Sequence, residues 1–295
     1  MKKNFLLSLF AMMMVAMVGM SFVSCSNDDD DENGGGNSNG GSSVGLNNPL
    51  AKEGNLLLTK VESSRMEDYA FEIKYDSNNR PVSFVHSEDG VKSIDFDYAT
   101  GKMIIDGEPY GSVSFTSQGF VKEISYNYNM SGGDYDKGST TCSYDTDGHL
   151  TKFDDNSQYK VDGEYGSGTV GIIFEWTNGN LNKFSYYEST NNGETSDEEW
   201  PTTIQYSNVE NKFRQFTPGL LSRIELWDYS AIAGLYGIGP KKLPKMIVDE
   251  YTTTTFEYEL NSDGSIRQEK IVTNYGNYGN NESTMIYTFF YTPAN

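Results

Sequence analysis

Tyr144-Asp145-Thr146-Asp147-Gly148-His149-Leu150-Thr151-Lys152-Phe153 reads as the tip of a β-hairpin. Asp145 and Asp147 carry short side chains that bond their own backbone, and Gly148 accepts a positive φ at no steric cost. Leu150 and Phe153 then open the returning strand. Related stretches recur along the chain. Aligned on the turn residue, they centre on Asn79, Gly101, Gly119, Gly148, Gly179 and Gly264, with Pro81, Met103, Val121, Leu150, Leu181 and Ile266 two residues later. Five centres are Gly and the sixth is Asn, the next residue most tolerant of the left-handed region. Their uneven spacing suits an irregular meander rather than a strict solenoid.

The composition agrees. The 295 residues are 36% hydrophobic and 14% aromatic, with 21 Tyr and 30 Gly. Aromatic side chains fit pleated, half-buried surfaces, while Gly, Asn and Asp serve turns. The fold expected is all-β: one large antiparallel meander over residues 47–295, strongly curved or barrel-like, with one packed helix. That helix is placed at about 218–233. Thr217-Pro218 supplies an N-cap and a proline at the first helical position. Leu220, Ile224, Trp227, Ala231 and Leu235 then recur at helical spacing. Gly234, Gly237 and Gly239-Pro240 end it, and core packing explains such a segment better than a functional lid. Further strands are expected at 56–61, 69–75, 246–248, 252–260, 266–274 and 283–291.

Ahead of this domain the chain reads as an export signal. Lys2 and Lys3 precede an apolar run from Phe5 to Val23, so residues 1–24 form a secretory signal. Phe22-Val23-Ser24-Cys25 resembles a bacterial lipoprotein cleavage box, with Phe22 in place of the usual leucine, and the resemblance implies lipidation of Cys25. Asp28, Asp29, Asp30, Asp31 and Glu32 follow it and resemble the acidic signal that sends lipoproteins of Gram-negative gut anaerobes to the outer face of the outer membrane. Gly34 to Gly45 is Gly/Asn/Ser-rich, so residues 25–46 form a tether, its last twenty or so spanning roughly 25 Å as a coil. The membrane is thus met through the lipid anchor alone.

The formal net charge is −20, and −22 once residues 1–24 with their two lysines are removed. Such a surface repels phosphate backbones and excludes nucleic acid as a natural partner. Cys25 and Cys142 are the only cysteines, and His86 and His149 the only histidines. A disulfide framework, zinc ribbons and multi-histidine sites are therefore excluded, and no cofactor is implied. Asp145-Thr146-Asp147-Gly148 matches only part of a calcium loop, and the turn accounts for it. Cys142 on a strand suits a buried thiol, and neither histidine has a recognisable triad partner.

Two family resemblances arise. Tyr75-Asp76 and Tyr144-Asp145, each followed by a turn and a basic or His residue, look like the tyrosine–aspartate repeats of Rhs-type shell proteins, in too few copies for an enclosing shell. More of the chain is similar to a secreted family catalogued as domain of unknown function 4595. The residues that carry this likeness are the lipoprotein box, Asn48-Pro49-Leu50, the hairpin repeats, Gly237-Ile238-Gly239 to Leu243-Pro244, and Tyr258 to Ile266. It implies a porin-like sheet and no activity. A membrane-embedded barrel is not implied, because strands such as 71–76 and 91–97 put charge on both faces.

Tyrosines in loops point to binding. Tyr126, Tyr128 and Tyr135 flank an Asn/Gly/Asp stretch, Tyr165 lies within Gly163 to Gly168, and Tyr275 and Tyr278 lie within Asn274 to Asn281. Tyr among Gly, Asn and Ser makes adaptable contact surfaces at low entropy cost, and flat rings beside amides suit sugars. The same tyrosines also suit a plain role at strand ends. Trp200, after an acidic run and before Pro201, is a further platform candidate. The function expected is a non-catalytic surface module for glycan or peptide. A structural partner of envelope proteins and a hydrolase with an unrecognised carboxylate pair are the alternatives.

Overall fold

The computed structural model describes residues 56–64, 70–86, 93–129, 134–161, 164–190, 195–198, 202–224, 229–276 and 281–294. They form one 17-stranded sheet. Its first half comprises β1 (Leu56–Ser63), β2 (Phe71–Tyr75), β3 (Pro81–His86), β4 (Ser93–Asp97), β5 (Lys102–Ile105), β6 (Glu108–Phe115), β7 (Val121–Asn129) and β8 (Tyr135–Tyr144). Then follow β9 (Leu150–Val161), β10 (Glu164–Thr177), β11 (Asn180–Thr190), β12 (Thr195–Glu198), β13 (Thr203–Glu210), β14 (Lys242–Val248), β15 (Thr253–Leu260), β16 (Ile266–Tyr275) and β17 (Asn281–Pro293). Antiparallel ladders run from β13 through β17 to β1 and on to β12, so the meander curls into a nearly closed barrel. Near its two ends, the Tyr206 hydroxyl on β13 donates to the Leu181 carbonyl on β11 at 2.9 Å.

The repeat produces this curvature. All six expected centres have positive φ, from 60° at Asn79 to 91° at Gly264. Four of the turns share one build. The N–H groups of Asp76, Thr116, Asp145 and Asn261 donate to the carbonyls of Arg80, Phe120, His149 and Ser265 at 2.8–3.0 Å, and their own carbonyls accept from Asn79, Gly119, Gly148 and Gly264. In each, the ladder slips register just before the turn, at 74/75, 114/115, 143/144 and 259/260. Such bulges bend a strand and increase its twist, which closes a sheet. In three places an aromatic donor ties a hairpin to the one before. Tyr98 bonds the Pro81 carbonyl, Tyr144 that of Val121 and Trp176 that of Leu150, at 2.7–2.9 Å.

The core fills the barrel. Leu58, Val61, Phe71, Phe84, Val121, Leu150, Ile172, Leu181, Ile247 and Tyr287 point inward and are buried. Residues 211–224 and 229–241 pack among them and close one mouth. The N–H of Val121 donates to the Leu235 carbonyl, that of Ile238 to Gly148, and that of Lys241 to Gly179, at 2.7–2.9 Å. Gly237 is tied to this contact, because a Cβ there would meet the Gly148 carbonyl oxygen at 2.5 Å. The distinctive Gly237-Ile238-Gly239 stretch is thus the seam between plug and turns.

The helix is shorter than its spacing suggests. Helix α1 spans Pro218–Arg223, capped by Thr217 as expected, and ends at Ile224. Residues 225–228, Trp227 with them, lie outside the described set, and a 3₁₀ turn follows at Tyr229–Ala231. Gly234 and Gly237, at φ of 84° and 96°, take the following chain out of helical geometry, and Ser230 to Tyr236 are buried with no solvated face.

Candidate functional site

Strand register places a polar trough of about 730 Å³ on the outer face of β7–β11, opposite the core. Successive side chains of a strand alternate between faces, so the pairing fixes which residues share a rung. Ser125, Ser139, Asn156, Thr169 and Ser189 form one rung. Asn127, Lys137, Gln158 and Ser167 form the next. Beyond that, Tyr135, Lys160 and Tyr165 stand side by side. On the opposite border Tyr187 lies over Gly171, where a Cβ would collide with the ring. The floor is therefore mostly small hydroxyls and amides, with Lys137 among them, between a Tyr135/Tyr165 border and a Tyr187 border where Glu123 also lines the trough. With about 6.7 Å between like-facing residues, three steps separate the borders by roughly 20 Å.

Lysines accompany the aromatic rings. The Lys137 ammonium lies 5.3 Å from the Tyr135 ring centre, Lys160 lies 5.7 Å from that of Tyr165, and Lys152 lies 5.4 Å from that of Tyr187. Tyr165 is the most exposed large apolar side chain among the described residues, at 70%. Thr169 Oγ1 donates to Asn156 Oδ1 at 2.6 Å, which orders part of the floor.

Of the tyrosines singled out from sequence, Tyr135 and Tyr165 are brought together on one rung. Tyr275 is 38% exposed but sits at the end of β16, paired with Asn281 and apart from the trough. Tyr128 belongs to β7, with its side chain outside the described residues. Cys25, Asp28 to Glu32, Trp200 and Tyr278 lie outside them as well. Tyr126 faces inward, 5% exposed and stacked on Tyr110 at 5.6 Å. The floor residues escape a reading by type, because serines and asparagines carry no signal until strands align.

Behind the trough, on the inner face, Asp136, Thr140 and Asp155 surround the Tyr126 hydroxyl. Burial pushes Asp155 up to about 6, against the hydrogen bond that Thr140 Oγ1 donates at 2.8 Å and with the nearby Asp136 charge. Burial also raises Asp136. At 7% exposure Asp155 faces the packed interior.

His149 acquires partners that its sequence neighbourhood half discloses. Its Nδ1 lies 2.8 Å from Asp145 Oδ2 and its Nε2 lies 2.8 Å from Arg214 Nη2. Guanidinium only donates, so Nε2 accepts and Nδ1–H donates to Asp145. Trp176 stacks on the ring at 4.4 Å. Although burial pushes the Asp145 carboxyl upward, hydrogen bonds from the His149 ring and backbone hold it below the usual range. Both Asp145 oxygens are thus engaged within the turn, and no metal-holding cluster occurs among the described residues. The site is a structural latch between turn and plug. Cys142 is a buried thiol outside any disulfide, as expected.

No family model matches the chain, and neither does any curated protein. Among solved structures, the chain is similar to a porin-like protein from Bacteroides uniformis. The TM-score is 0.55 at 11% identity, covering 80% of this chain and 98% of that one. The likeness is one of fold, and it agrees with the porin-like sheet that the family resemblance implies.

Proposed function

We propose that this protein is a non-catalytic glycan-binding module, exported and held at the outer face of the outer membrane by a lipid on Cys25. One observation carries the reading: a floor of hydroxyl and amide side chains bordered by Tyr135, Tyr165 and Tyr187 on a rigid five-strand surface. Hydroxyls and amides exchange hydrogen bonds with sugar hydroxyls, and tyrosine faces cover the apolar faces of the rings. Strands hold these groups in place before binding, which limits the entropy lost on association. Membership of the unknown-function family 4595 is part of the same proposal and supplies the export context.

The test is a glycan array probed with the full chain and two variants. Ser139→Arg fills the floor without touching the core, and Tyr165→Ala removes a border. Binding by the parent that both variants reduce at least tenfold supports the reading. Binding that survives Ser139→Arg places the site elsewhere.

A further inference from the structure

The molecule as a whole is strongly acidic, yet the trough is not. Its three floor and upper-border rungs hold no carboxylate and two lysines, Lys137 and Lys160. The one carboxylate that lines the trough, Glu123, and the neighbouring Asp154 stand on the Tyr187 border rung, one step beyond the floor. There Glu123 accepts from the Ser125 hydroxyl at 3.2 Å, and Asp154 is paired with Lys152 at 2.8 Å. At physiological salt charges are screened beyond about 8 Å, so a ligand lying in the trough senses these lysines more than the distant net charge. Each ammonium also stands over a tyrosine ring at the border, where a sugar stacked on that ring would bring its substituents alongside.

From this we infer that the ligand is an acidic glycan, a chain carrying uronate carboxylates or sulfates, with Lys137 and Lys160 as the residues that select for charge. The inference rests on the glycan-binding reading and narrows it. A carboxylate set beside a stacked ring meets an ammonium at the border, while the remaining hydroxyls meet Ser139, Asn156 and Thr169. Neutral chains gain the hydroxyl contacts alone. Nucleic acid, the other common polyanion, offers charge with little hydroxyl density for such a floor.

The experiment is calorimetry on the full chain in mild detergent with two probes of equal length, an oligogalacturonate and a neutral cello-oligosaccharide. Each is run at low and high sodium chloride, with the parent and with Lys137→Gln/Lys160→Gln. The result expected is preferential binding of the uronate probe, weakened about tenfold by the double substitution and by a comparable factor at high salt. Equal, salt-independent binding of both probes overturns the charge selection and leaves glycan binding standing. Binding of neither probe by folded protein, with sulfated oligosaccharides also silent, overturns the acidic-glycan inference. Floor variants on the array then decide the broader reading separately.

Discussion

Glu269 on β16 is fully buried, and its surroundings give the protein a pH dependence. Thr217 Oγ1 donates to one carboxyl oxygen at 2.6 Å and the Gly219 N–H to the other at 3.0 Å, so this side chain seats the start of α1. Burial nevertheless dominates those bonds and pushes the group up to about 7 from an ordinary 4.5. Between those values the folded protein holds a proton that the unfolded chain has released. The associated stability is therefore complete below the window and declines as pH rises through it, by about 3 kcal/mol in all. Asp155, raised to about 6, acts in the same direction over a narrower range. Urea unfolding at pH 5, 6, 7 and 8 tests this. The parent loses stability toward pH 8, and Glu269→Gln, which keeps the shape without the charge, flattens most of the decline. An unchanged slope in that variant would assign the effect elsewhere.

At the scale of elements, aromatic hydroxyls divide by whether they tie hairpins together. The Tyr144 hydroxyl donates to the Val121 carbonyl at 2.7 Å, at the point where the Val121 N–H also engages the plug through Leu235. Tyr144→Phe leaves a carbonyl without its donor and is expected to cost about 1–2 kcal/mol. The Tyr126 hydroxyl is buried without a hydrogen-bond partner, and burial first, then the Asp155 and Asp136 carboxyls, disfavour its ionisation. Tyr126→Phe keeps the stack on Tyr110 and removes an unsatisfied group, so stability is unchanged or rises. Parallel denaturant curves decide, and equal losses in the two variants would refute the division. These elements also mark what sequence discloses. The six turn centres are legible because a positive φ selects Gly or Asn residue by residue. The trough is not, because Ser125, Asn156 and Ser189 meet only through the register of several strands. Arg214 stays hidden as a partner of His149 for the same reason, since 65 residues separate them. The overlong helix came from reading apolar spacing as one stripe where the chain is buried all round.

The whole molecule places its polarity opposite to that of a membrane-embedded barrel. Phe153, Ile172, Phe174 and Phe184 face inward with the plug, while Lys137, Lys152, Asn156, Gln158 and Lys160 face outward on adjacent strands. A lysine on the lipid-facing side costs about 2–4 kcal/mol at mid-bilayer and less toward the interfaces, and here Lys137, Lys152 and Lys160 share the outer face with Asn156 and Gln158 between them, against scattered outward residues such as Ile173 and Phe290. No helix among the described residues is long and apolar enough to cross instead. The porin-like sheet thus has a polar outer face over β7–β11 and a filled lumen, and in the proposed function membrane attachment falls to the lipid on Cys25. Detergent phase partitioning of the exported protein separates the two modes of attachment. The parent enters the detergent-rich phase, whereas Cys25→Ser, which has no thiol to lipidate, stays in the aqueous phase. A Cys25→Ser protein that still follows the detergent would mean that the barrel wall itself meets lipid. The outward lysines would then have to lie at the membrane surface rather than within it.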